Sequence, residues 1–242
     1  MSGTLYVGTS GFAFPAWKHG VFYPEGLRDR DMLAYYATRF RSVEINHTFR
    51  RFPTERTLAT WREQTPESFR FALKANQRIT HVRRLADADG DVRYFLERCR
   101  VLGDRLGVVL YQCPPSLRYD RGLIEAFVGY LPPEPRTAME FRHPSWRAAR
   151  ELLLEHRVAW CVAETDERDP EPEDLAFEPF GFLRLRKDAY TERELAAWAE
   201  RIGSALAAGR DVYCYFKHED GGASPRMAER LTQLIPQTGP GA

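Results

Sequence analysis

Lysine is scarce in this chain, and where it is kept is the first chemical signal. Lys and Arg together number 35, yet only Lys18, Lys74, Lys187 and Lys217 are lysines. Arginine therefore serves as the general surface cation, and a compact, titratable amine at four positions marks places where a guanidinium would not substitute. Each lysine lies at or just after the end of a β-rich segment, as do His19, His47, His81, His143 and His218; His156 does not.

Charged residues inside otherwise apolar segments are the second signal. VEIN places Glu44 and Asn46 on one strand face, MEFRH does the same with Glu140 and Arg142, and FLRLRK with Arg184 and Arg186. A carboxylate there is costly unless it is paired or hydrogen-bonded. One reading is a structural layer of ion pairs, such as Glu44 with Lys74 or Glu140 with Arg184. The leading reading is an acid/base pair beside an anion clamp. Glu44 or Glu140 would move protons, and Lys74 and Arg142 would stabilise developing negative charge. Arg184, Arg186, Lys187 and Lys217 would hold the anion, with Gly221 and Gly222 admitting close main-chain approach. Local neutralisation of those cations by Asp188, Glu219 or Asp220 is the competing expectation.

Three other readings compete. Lys74 could form a Schiff base as a lyase nucleophile, which requires a desolvated, neutral amine. Glu140, Glu164, Asp166 and His218 could ligate a metal in a hydrolase, although the histidines lack helical metal spacing. A non-catalytic barrel that binds a ligand or partner is the third. No Walker loop or dinucleotide fingerprint is present, so no cofactor is expected and no metal is assigned. Phe12, Phe14, Trp17, Phe22 and Tyr23 crowd one loop, where they could stack on a sugar or base but fit better as a hydrophobic plug.

These groups need elements to position them. Strand-like segments recur at residues 5–10, 42–46, 70–74, 107–112, 137–142, 159–164, 180–184 and 211–217, at the roughly 30-residue spacing of a βαβ unit. Between them, Leu33, Tyr36, Ala37 and Phe40, and later Leu195, Trp198, Ala199, Ile202 and Leu206, form helical stripes. Thr191 with Glu194 reads as a capping box, and Ser224 before Pro225 as a helix cap. The acidic, proline-bearing stretch 165–179 predicts a loop or a single helical turn. Eight such alternations predict a single α/β domain over residues 1–242, a (β/α)8 TIM-like barrel with a flexible tail from about 236. A doubly wound open sheet is the alternative.

Apolar residues make up 43% and charged residues 29% of the chain, and the net charge is +1. No global field draws it to nucleic acid or membrane, so an anion site must be local. No apolar run reaches a membrane span, and residues 1–4 lead straight into a strand-like segment, so a cytoplasmic location is expected. Cys99, Cys113, Cys161 and Cys214 are scattered singly, predicting neither disulfides nor a zinc cluster.

GTSGFAFPAW with VFYP, VEINHTF, FRFALKANQRITHVRRL, LGVVLYQCPP, MEFRHPSW and YFKH together resemble the domain of unknown function 72 family, the YecE-like proteins. The resemblance runs over almost the whole chain. It implies a TIM barrel whose mouth is lined by Ser10, Glu44, Asn46, Thr48, Lys74, His81, Gln112, Glu140, Arg142, His143 and Trp146. Many relatives carry His-Gly after the seventh-strand arginine and Asn-Asn after the eighth-strand phenylalanine. Here Leu185-Arg186-Lys187 follows Arg184 and Lys217-His218-Glu219 follows Phe216, which makes both loops more positive. The expected function is an enzyme, a hydrolase or a lyase, acting on a phosphate-bearing or other anionic substrate: a sugar phosphate, a nucleotide or a nucleic-acid fragment.

Overall fold

A computed structural model describes residues 2–217 and 221–235. Eight parallel strands appear where the apolar segments predict them: β1 Leu5–Thr9, β2 Ser42–Ile45, β3 Arg70–Lys74, β4 Leu106–Gln112, β5 Arg136–Glu140, β6 Ala159–Glu164, β7 Gly181–Leu185 and β8 Val212–Phe216. Their order in the sheet is β1-β8-β7-β6-β5-β4-β3-β2. The pairing of first strand with last, Leu5 opposite Val212, separates this (β/α)8 TIM-like barrel from the doubly wound sheet, where the first strand lies inside the order. The helices between strands are α1 Met32–Arg39, α2 His47–Arg50, α3 Glu55–Glu63, α4 Asp89–Cys99, α5 Arg121–Gly129, α6 Arg150–Glu155, α7 Glu192–Ala207 and α8 Ala223–Leu234.

Contacts divide the chain into two units, Glu44–Cys161 on one side and Met1–Val43 with Val162–Ala242 on the other. In the Glu44–Cys161 unit, β4 lies between β3 and β5, with Lys74 opposite Leu110 and Gln112 opposite Glu140. Strands of a parallel sheet are covered on both faces and are therefore almost wholly apolar. Val108, Val109 and Leu110 obey this rule. The exceptions sit at the carboxyl ends: Lys74, Gln112 and Glu140 are the last residues of β3, β4 and β5.

In the other unit β8 lies between β1 and β7. The α7 stripe is buried at Leu195, Trp198, Ala199, Ile202 and Leu206, and the Thr191–Glu194 capping box is formed as the sequence predicts. The expected cap at Ser224 is displaced. Gly222 holds the cap position in a left-handed conformation, φ +68°, and Ser224 is buried inside α8. A side chain at Gly222 would meet Val21 Cγ1 at 2.6 Å, so glycine is needed there twice over. Residues 165–179 contain one short turn, Pro172–Ala176, as expected. Trp17 and Tyr23 are buried in an aromatic cluster that reaches Tyr35, Tyr36 and Phe40 through Phe22, which makes this loop a plug rather than a stacking platform. All four cysteines are free and buried, and burial pushes the Cys99 thiol up to about 12. Among the described residues no helix is long and apolar enough to cross a membrane. The tail from 236 lies outside the described residues.

Candidate active site at the ends of β3, β4 and β5

The carboxyl ends of three adjacent strands are joined by one hydrogen-bonded chain of side chains. Lys74 Nζ donates to Gln112 Oε1 at 2.6 Å, Gln112 Nε2 donates to Glu140 Oε2 at 2.8 Å, and Arg142 Nε donates to Glu140 Oε1 at 3.1 Å. Parallel pairing explains the contact: Gln112 and Glu140 are register partners, so their side chains leave the sheet side by side. The Gln112 carboxamide suits the place between them, accepting from an ammonium with its oxygen and donating to a carboxylate with its nitrogen. Gln112 and Glu140 are buried, whereas the Arg142 side chain is 41% exposed. The chain thus starts on a half-buried cation, runs through two buried groups, and ends on a cation that reaches solvent.

Lys74 also lies over the ring of Phe49, 3.9 Å from its centroid. An aromatic face within this distance is a cation–π partner for the ammonium group. Phe49 belongs to α2, and α2 is pinned by Thr48, whose hydroxyl donates to the Lys74 carbonyl at 2.6 Å. Thr48 is fully buried, so it positions the lysine strand and does not face a ligand. Asn46 donates to Glu44 Oε1 at 2.9 Å, and Glu44 is completely buried.

His81 stands on a π-helical turn, Arg78–Val82, just beyond β3. Such turns are rare and concentrate at functional sites. Asn76 builds this one: its Nδ2 donates to the Thr48 carbonyl and its Oδ1 accepts from the Arg78 amide. The His81 ring packs edge-on against Phe49 at 4.9 Å, and its Nδ1 shares a 2.9 Å hydrogen bond with the Thr80 hydroxyl. Burial, then the charges of Lys74, Arg142 and Arg84, lower its pKa and hold the imidazole neutral. The backbone after the turn is strained, with Arg84, Leu85 and Asp87 all in the left-handed region. Non-glycine residues persist there only when their surroundings enforce it. Arg84 bonds to the Ser116 hydroxyl at 3.1 Å and its carbonyl at 3.0 Å, and Leu85 is buried.

Two expected ligands have partners within the fold. Trp146 is 0% exposed, stacks on Phe141 and donates its indole N–H to the Leu117 carbonyl at 2.6 Å. His143 caps the Pro144–Ala149 turn, its Nδ1 accepting from the Ser145 amide at 3.2 Å. Arg84, Phe49 and Asn76 were not legible as site residues. One arginine in HVRRL looks like the next, and only backbone conformation separates them: Arg83 pairs with Asp91 while Arg84 turns to Ser116.

The expected anion loop of Arg186, Lys187 and Lys217 takes a different form. Lys187 Nζ lies 3.4 Å from Glu164, 3.1 Å from Asp169 and 3.2 Å from Glu194, so its charge is already met by carboxylates and is not available to clamp an anion. Burial opposes its charge, but the bonds to Asp169 and Glu194 and the Glu164 charge outweigh it and raise its pKa. Glu164 also accepts from the Trp198 indole at 3.0 Å. Neutralisation was the competing expectation, from Asp188, Glu219 or Asp220; the Asp188 amide donates to Asp166 Oδ2 at 3.0 Å. Lys217 is exposed, with its amide on the Leu185 carbonyl, and Arg186 is half-buried. Ser10 and Arg184 are buried in the same unit as these loops, Ser10 with its amide on the Phe216 carbonyl. His218, Glu219 and Asp220 lie outside the described residues. Among the described residues no group of three or more His, Cys, Asp or Glu is gathered to hold a metal.

A (β/α)8 barrel carrying polar, partly cationic groups at its strand ends has the layout of a barrel enzyme or binding protein. The chain belongs to the family described as "Protein of unknown function DUF72", which matches residues 6–241. It is similar to the UPF0759 protein YecE of Escherichia coli K12, 32% identical over 148 residues, 61% of this chain and 52% of that one. That match therefore spans about half of the YecE chain. It is also similar to the UPF0759 protein YunF of Bacillus subtilis, 23% identical with 96% and 94% covered. Among solved structures, a DUF72 family protein from Thermotoga maritima superposes with a TM-score of 0.80 at 26% identity, covering 96% of this chain and 99% of that one. One from Enterococcus faecalis gives 0.77 at 17% identity, covering 96% and 95%, and speaks to the fold alone.

Proposed function

We propose that the protein is an enzyme acting on a phosphate-bearing or similar small anionic substrate bound at the carboxyl ends of β3, β4 and β5. The observation that carries this reading is the Lys74–Gln112–Glu140–Arg142 chain, in which a buried carboxylate holds Arg142 directly and is linked to Lys74 through the Gln112 amide. Arg142 is engaged through Nε, and its side chain is 41% exposed, so its terminal amino groups can face a ligand. Lys74 supplies a point charge, Arg142 a planar fork, and Arg84 a third cation held on a strained turn. Glu140 is a positioning residue, because both of its oxygens are engaged. Glu44 and His81 are the groups left for proton transfer.

The test is thermal unfolding with sulfate and with phosphate. An anion that binds only the folded state stabilises it by about 2.7 kcal/mol at a hundredfold excess over Kd, roughly 5–10 °C for a chain of this length. Lys74→Met should abolish most of that shift. No shift in the native protein, or an equal shift in the variant, rejects the site and returns the chain of side chains to a structural role.

A further inference from the structure

We propose that the cavity at the amino-terminal ends of β4 and β5 is a second ligand site, which takes a small apolar amine in its ammonium form and holds it on the Tyr130 hydroxyl. This site is independent of the anion site proposed above.

The cavity has a volume of about 370 Å³, at the small end of the range for ligand pockets. Its walls are one face of α4, the start of β4 and the segment that leads into β5. Leu106 opens β4 and Pro135 directly precedes β5, whereas Gln112 and Glu140 close those strands. The cavity therefore lies at the opposite strand ends from the Gln112–Glu140 bond, within the Glu44–Cys161 unit. Catalytic groups of barrels gather at the carboxyl ends, so this place suits binding without chemistry.

The apolar lining comes from Val92, Leu96, Leu106, Pro132 and Pro135. Val92 and Leu96 are four residues apart on α4 and share a face. Tyr130, at the end of α5, completes the lining, its ring edge-on to Phe127 with centroids 5.4 Å apart. The Tyr130 hydroxyl is buried and has no hydrogen-bond partner among the described residues. A buried hydroxyl left unpaired is costly and seldom persists unless a ligand or water supplies the partner.

Charge decides the sign of that ligand. The charged residues of the lining are Asp89, Glu97 and Glu134 against Arg93 and Arg100, one negative charge in excess. Arg93 is paired with Asp89 at 3.2 Å, while Glu97, Glu134 and Arg100 have no ion-pair partner among the described residues. Burial, then the charges of Asp89 and Asp87, raise the Tyr130 pKa and keep the phenol neutral. The same carboxylates favour a cation beside its oxygen, which can accept an ammonium N–H while the ring face attracts the charge. An amine with an apolar body meets each requirement: it is protonated near neutral pH, its body covers the apolar lining, and its charge answers the excess carboxylate. An anion would meet repulsion there.

Benzylammonium is the probe, with benzyl alcohol and phenylacetate as its neutral and anionic counterparts. Near neutral pH, NMR titration of the native protein's backbone amides should show saturable shifts along α4 and around Tyr130, with Kd on the order of millimolar for so few atoms. Benzyl alcohol should bind roughly fivefold more weakly, and phenylacetate more weakly still. Tyr130→Phe removes only the unpaired hydroxyl, so urea unfolding should show stability held or raised while benzylammonium loses about five- to tenfold in affinity. Glu97→Gln combined with Glu134→Gln should shrink the preference for the ammonium over the alcohol. Absence of saturable shifts at this cavity, either counterpart binding as tightly as benzylammonium, or unchanged affinity in Tyr130→Phe overturns the inference. So does a marked loss of stability in Tyr130→Phe, which would show the hydroxyl already paired within the fold. None of these outcomes bears on sulfate binding at the carboxyl ends, which is read separately.

Discussion

Replacing Gln112 by Met is the most informative single change, because it removes the hydrogen-bonding bridge while nearly keeping side-chain length. Two bonds to charged groups are lost: the one from Lys74 at 2.6 Å and the one to Glu140 at 2.8 Å. Bonds of this type contribute roughly 1.5–3 kcal/mol each. Lys74 is half-buried and can recover water, so its share falls to about 1 kcal/mol. Glu140 is 2% exposed and has no such recourse, although Arg142 still donates to it, and its share is about 2 kcal/mol. The thioether gains about 0.5–1 kcal/mol of apolar burial. A net loss of about 2–2.5 kcal/mol lowers Tm by roughly 4–10 °C for a chain of this length, readable by circular dichroism and confirmed by the urea midpoint at unchanged slope. The sulfate response should weaken as well, since Lys74 is no longer aimed. A Tm within about 1 °C of the native value would refute the reasoning and show that the buried amide holds nothing.

Trp146→Phe should cost about 1–3 kcal/mol by leaving the Leu117 carbonyl without its indole donor, while sulfate binding measured by calorimetry stays unchanged. Arg84→Gly relieves a left-handed residue, φ +54°, so urea unfolding should show stability held or raised by up to about 1 kcal/mol even as sulfate affinity drops. Glu194 is held down to about 2 by the Thr191 amide first, then the Thr191 hydroxyl and Lys187. A depressed carboxylate stabilises the fold above its unfolded pKa near 4.5 and stops doing so as pH falls toward 2. The stability gap between the native protein and Glu194→Gln, measured in urea, should therefore be full at pH 6 and close between about pH 5 and pH 2.

The alternation of strands and helices was legible in the sequence because buried parallel strands and one-faced helices impose different periods, and boundaries such as β3 and β6 agree to the residue. So was the concentration of unusual charge at strand ends: Lys74, Gln112, Glu140 and Arg142 stand out because apolar segments rarely tolerate such groups. What each charge meets was not legible. Sequence spacing treats Lys74 and Lys187 alike, as cations after strands, yet one faces an amide and an aromatic ring while the other is enclosed by Glu164, Asp169 and Glu194. Partners 18 or 38 residues away are chosen by strand register and loop path. The backbone state of Arg84 and the π-helical insertion beneath His81 are likewise decided by packing around Asn76 and Leu85. Local patterning fixes which residues leave the sheet; only the tertiary contacts fix which partners each charge meets.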